Sequence, residues 1–119
     1  PKMEALAQKH YTPEQLHGLR TREFTAEDQA RVGAAWTKVF ADIDALGASA
    51  DPSSAKALEI GRRAQALIGE FTQGDPALFQ AAGAMNREAM NDPELSKDMP
   101  TTMSHWQFLG RVFEALKGS

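Results

Sequence analysis

In this 119-residue sequence, the side chains that could do chemistry are three histidines, a few paired carboxylates and hydroxyls, and a run of aromatic and methionine residues. His10 and His17 stand seven apart, and His105 is far from both. A metal centre needs ligands that converge, as in a His pair four apart on a helix or a thiolate set. Neither pattern occurs and the chain has no cysteine, so disulfides, thiolate nucleophiles and zinc-thiolate sites are excluded. The histidines therefore read as surface residues. Asp42 and Asp44 are two apart, which on a helix points them away from each other, so they read as solvated charges rather than an acid–base couple. Glu59 and Arg63, four apart, read as a surface ion pair. Ser53-Ser54 and Thr101-Thr102 precede helical patterns, where a hydroxyl caps free backbone N–H groups. No nucleophile elbow, phosphate loop or dinucleotide fingerprint appears. The expectation is a protein that is not an enzyme and carries neither metal nor cofactor.

The apolar residues suggest binding instead. Trp36, Phe40, Phe71 and Phe79 fall on the faces of three successive helical segments. Met85, Met90, Met99 and Met103 gather around the fourth segment and the loop after it, with His105 and Trp106 directly following. Methionine adapts its shape to a guest and recurs at permissive binding surfaces. Most of these residues would serve any helical core. Those beside the loop at 92–102, where packing is least regular, could line an apolar pocket with a few polar groups. The candidate ligand-binding residues are Trp36, Phe40, Phe71, Phe79, Met85, Met103, His105 and Trp106, with aromatic faces to stack on ligand rings.

Positioning these residues falls to helices. Apolar residues recur at three- and four-residue spacing over 25–46, where Val32, Trp36, Val39, Phe40, Ile43 and Leu46 form one stripe. The same holds for 52–71, 76–90 and 103–116, with a short turn at 93–97 and a weaker helix at 12–20. Asp-Pro pairs at Asp51, Asp75 and Asp92 predict helix starts, as do Thr12 and Thr25 with their following acidic or amide residues. Gly47 and Gly74 predict stops. No segment alternates like a strand. The fold class is all-α, about five to six helices joined by short loops. Residues 25–119 form the core. Residues 1–24 hold few large apolar side chains (Met3, Leu6, Tyr11, Leu16, Leu19 and Phe24), too few to offset an ordering cost of roughly 1–2 kcal/mol per residue. That stretch reads as a mobile arm that docks when something fills the space beside it.

Composition excludes further classes. Net charge is −3, and Arg62-Arg63 is the only adjacent basic pair, so the chain lacks the cationic face that a phosphate backbone demands. No apolar run approaches a membrane span and no signal peptide opens the sequence, which fits the cytoplasm. A start at Pro1 suggests a fragment of something longer, and without a sustained heptad seam that fragment should be monomeric.

Several runs are similar to the TipAS antibiotic-recognition domain: Trp36, Phe40-Ala41-Asp42-Ile43 and Leu46-Gly47, then Asp51-Pro52-Ser53-Ser54, then Leu67 through Pro76. Tyr11-Thr12-Pro13-Glu14-Gln15-Leu16 resembles that family's opening segment, and within the family the nearest likeness is to the effector domain of a stationary-phase regulator. The resemblance implies a globin-like fold without haem, serving as the effector domain of a MerR-type transcription regulator that acts as a homodimer. It implies large, multi-ring, apolar antibiotics as ligands, and an N-terminal segment that folds over them, with Tyr11 and Leu16 as lid contacts. DNA would be reached only through a helix-turn-helix domain that this sequence lacks. A stand-alone drug-sequestering protein is the alternative. A haem protein would have to use His105 as axial ligand. Two departures bear on specificity: no cysteine is present for covalent capture of the drug, and Met85-Asn86 stands where the family commonly has Met-Tyr.

Overall fold

A computed structural model describes residues 2–47, 49–97, 99 and 101–118. Among them the chain forms seven helices and no strand: α1 Lys2–His10, α2 Pro13–Thr21, α3 Ala26–Leu46, α4 Ala55–Thr72, α5 Pro76–Asn91, α6 Pro93–Ser96 and α7 Met103–Lys117. The all-α class is as expected. The count exceeds five to six because α1 carries only a sparse apolar stripe, so its sequence does not announce it.

The core is three helices deep. Val39, Phe40 and Ile43 of α3 meet Ala57, Ile60, Ala64 and Leu67 of α4 and Phe108, Leu109 and Val112 of α7. Spacings of three and four put each set on one helix face, and packing those faces against each other takes their apolar surface out of water. Gly61 lets α4 and α7 approach closely: a side chain there would run into Val112 and Leu116 of α7. α5 flanks α4 and buries only Leu78 and Ala89.

The starts are mostly where local chemistry puts them. Thr25 and Asp28 close a capping box on α3, and Asp75 and Asp92 accept from the first N–H groups of α5 and α6. Asp51 does not start a helix. Its carboxylate accepts from the N–H and hydroxyl of Ser53, bending the chain into a turn, and Ser54 caps α4 instead. The α7 start differs too: the Thr102 N–H donates to the ring of His105, and the Thr101 hydroxyl lies against the same nitrogen.

Neither α1 nor α2 buries a residue. α1 lies along α5 and is pinned by charge at both ends. Lys2 pairs with Asp92 at 2.9 Å and Glu94 at 3.1 Å, while Lys9 and His10 both reach Glu88, at 2.8 and 3.1 Å. The Lys2 ammonium holds the Asp92 carboxyl below the usual range, and Lys9, then His10, do the same for Glu88. A carboxyl whose folded value lies below its unfolded one stabilises the docked state above the ordinary carboxylate range, near 4, and that contribution is lost as pH falls through the depressed value. On acidification below about pH 4, α1 should leave α5 before the core melts. Amide chemical shifts over Lys2–His10 should turn coil-like while those of α3, α4 and α7 hold. Loss of all helices in one step would contradict a charge-pinned α1.

Candidate functional site

Four of the residues singled out in the sequence come together at the α3–α7 contact. Trp36 stacks on Phe40 with ring centres 5.6 Å apart, Trp106 tilts against Trp36 at 5.4 Å and meets Phe40 edge-on at 5.9 Å, and His105 stacks on Phe40 at 5.0 Å. His105 is buried, contrary to the surface reading. The Thr102 N–H donates to Nδ1, so that nitrogen is unprotonated and Nε2 carries the hydrogen, which it gives to Asp44 at 2.7 Å. A histidine fixed this way ties the end of α3 to the start of α7. The Trp106 indole N–H is buried without a partner among the described residues. The quartet packs on itself, and its rings fill one another's space.

Room for a guest lies elsewhere. α2 stands off the α4–α5 turn and leaves a cleft of about 640 Å³, within the usual range for small-molecule sites. One wall is a single face of the second helix and its cap, Gln15, Gly18, Leu19 and Arg22, with Thr12 and Glu14 at one end. Thr12 and Gln15 form the capping box that starts this helix, and Pro13 needs no hydrogen bond at its first position. The opposite wall is Gln73, Asp75 and Leu78. Gln73 ends α4 in the left-handed conformation (φ 50°), which costs a non-glycine residue about 1 kcal/mol. The Asp75 carboxylate caps α5 through the N–H groups of Ala77 and Leu78. Arg22 bridges the walls: its Nη1 donates to the Phe71 carbonyl at 2.7 Å, and its guanidinium lies 5.8 Å from the centre of the Phe71 ring.

A smaller hollow, about 250 Å³, is lined by Asp42, Ala45, Leu46, Lys56, Glu59, Ile60 and Arg63 between α3 and α4. Asp42, Glu59 and Arg63 in it are already paired. Arg63 meets Asp42 at 2.6 Å and Glu59 at 3.8 Å, and Lys38 meets Asp42 at 3.0 Å. Arg63 first, then Lys38, holds the Asp42 carboxyl below its ordinary range. Asp42 and Asp44 thus serve different partners.

The other candidates are dispersed. Phe71 and Phe79 are not core: their rings are 37% and 47% exposed, Phe71 at the cleft rim under Arg22 and Phe79 on the first turn of α5. Met85 on α5 and Met103 at the head of α7 are half-buried, as are Tyr11, between α1 and α2, and Leu16 on α2. Burial pushes the Tyr11 phenol up. Of the loop at 92–102, Asp98 and Pro100 lie outside the described residues, and neither cleft opens there. The residues that do line the larger cleft were not among the binding candidates read from the sequence. Their spacing, 15, 18, 19 and 22, is a helix face, but one glycine, one leucine and two polar groups carry no apolar signal.

The cleft's lining residues show no nucleophile beside a base. Among the described residues no group of three or more His, Cys, Asp or Glu converges as metal ligands, and no helix is long and apolar enough to cross a membrane. No match was found among curated proteins or among solved structures. A scan against protein families matches residues 3–115 to the TipAS antibiotic-recognition domain, a ligand-binding sensor rather than a catalytic family. That match spans all seven helices but the first residue of α1 and the last two of α7, both walls of the cleft included: the chain belongs to the TipAS antibiotic-recognition domain family.

Proposed function

We propose that this chain is the ligand-sensing effector domain of a MerR-type transcription regulator, and that it takes up large apolar multi-ring antibiotics in the cleft beneath α2. The observation that carries this reading is an open cleft roofed by a helix that buries nothing of its own, in a chain of an antibiotic-recognition family. With no cysteine in the sequence, the guest is held by burial, stacking and hydrogen bonds. Leu19 offers apolar surface in the cleft, with the largely buried Leu78 behind it, and such surface gains about 25 cal/mol per Å² once water is displaced.

Residues 1–24 act as the lid. α1 and α2 pay the entropy of ordering without core contacts to offset it, so a guest that fills the cleft shifts their equilibrium toward the docked state. The docked lid then biases the DNA-binding part of a homodimeric regulator, and these residues touch no DNA themselves. A titration with thiopeptide and albicidin-type antibiotics, followed by amide NMR, tests the assignment. Shifts should concentrate at Gly18, Leu19, Arg22 and Gln73. Shifts at the Trp36 and Trp106 indoles alone would move the site to the aromatic quartet, and an unmoved spectrum would refute sensing of those compounds.

A further inference from the structure

Resting on the reading of the α2 cleft as the drug site, we infer that the cleft selects multi-ring ligands bearing an acidic group, and that Arg22 is the residue that reads it. Among the described residues Arg22 is the one basic side chain lining the cleft. Its guanidinium is not free to wander: Nη1 is bound to the Phe71 carbonyl and the plane is steadied over the Phe71 ring. Capping that carbonyl at the end of α4 uses only part of the guanidinium, and the remaining N–H groups have no recorded partner among the described residues. A fork with donors to spare, held in place by backbone and ring, suits a carboxylate or sulfonate, whose oxygens accept in pairs.

The two acids of the cleft do not cancel it. Asp75 is engaged with the N–H groups that open α5. Glu14 lies eight residues earlier on the same wall, ~12 Å away at 1.5 Å per helical residue. The ligand's acid therefore belongs at the Arg22 end, with its rings along Leu19 and the buried Leu78 behind it.

Two fluorescent probes with the same rings separate the terms: anilinonaphthalene sulfonate, which is anionic, and phenylnaphthylamine, which is neutral. The wild-type chain should bind the sulfonate roughly tenfold more tightly, the worth of one charge-assisted hydrogen bond. Arg22→Gln should bring the two affinities together by weakening the sulfonate alone, and Arg22→Lys should restore only part of the preference. Gly18→Trp should remove both dyes, because a side chain at Gly18 meets nothing within 4 Å in the empty protein and projects from the cleft wall. Because the readout is a ratio of two dyes on one variant, a general loss of folded protein does not mimic it. If Gly18→Trp blocks both dyes and Arg22→Gln leaves their ratio unchanged, the role of Arg22 is refuted and the cleft stands. If Gly18→Trp leaves both bound as before, or if the wild-type chain takes neither, the cleft reading falls and Arg22 with it.

Discussion

Gly61→Leu should prevent the core from closing, and Gly61→Ala should lower stability by about 1–2 kcal/mol, even though alanine is the better helix former by about 1 kcal/mol. The reason is the α4–α7 contact. A Cβ at position 61 would overlap Cγ1 of Val112, and the nearest Leu116 methyl carbon lies 3.1 Å away. Leu116 can swing aside. Val112 cannot: it is fully buried and branched at Cβ, so its χ1 has one comfortable setting in a helix. Forcing a methyl into a packed core costs typically 1–3 kcal/mol, and overlap with a Val112 that cannot move puts position 61 in the upper half of that range, about 2–3 kcal/mol, which outweighs the propensity gain; a leucine needs the helices to separate. At roughly 4–8 °C per kcal/mol for a domain near this size, Gly61→Ala should lower the thermal midpoint by about 5–15 °C. Val112→Ala alone creates a cavity, but added to Gly61→Ala it should restore part of the loss, since the two changes share one space. Circular dichroism melts of the four proteins decide it. Strict additivity, or a rise in midpoint for Gly61→Ala, would mean that the helices do not meet so closely.

His105→Ala should cost about 2–4 kcal/mol, and its conservative replacements should divide that loss between two ends of one ring. Nδ1 accepts from the Thr102 N–H at the start of α7, and Nε2–H donates to Asp44 across 61 residues of sequence. The ring also stacks on Phe40 in the core. Asparagine places an acceptor near the Nδ1 position and should recover the cap, worth about 0.5–2 kcal/mol. Glutamine places a donor near Nε2 and should recover only the bond to Asp44. That bond is the weaker of the two, because the Asp44 side chain is 71% exposed and water competes for it. The expected order of stability is wild type, then Asn, then Gln, then Ala, with Asp44→Asn close to wild type. Urea unfolding of each variant gives the order directly, and Asp44→Asn falling as low as His105→Ala would place the stabilisation in the α3 contact instead.

These two sites mark where the sequence by itself is decisive and where it is not. Helix existence was legible because its determinants are local. The stripe from Val32 to Leu46, the Thr25–Asp28 box and the caps at Asp75 and Asp92 all act within a turn or two of the residue concerned. The family was legible for the same reason, as ordered short runs along the chain. Cap choice among neighbours was less so: Asp51 and Ser54 both offer an acceptor, and Asp51 is taken by Ser53. Burial was decided only in three dimensions. Periodicity names the face of a helix without saying what covers it, so Phe40 and Phe71 look alike in the sequence, yet one meets α7 and the other faces solvent under Arg22. His105 reads as a surface histidine until Asp44 and Phe40 arrive from α3. The cleft is the extreme case. Its walls come from α2 and from the α4–α5 turn, more than fifty residues apart, and a cavity depends on where two helices stop approaching each other. Gly61 permits the close approach of α4 and α7, whereas α2, with no buried residue to draw it inward, stays off the core and leaves the space.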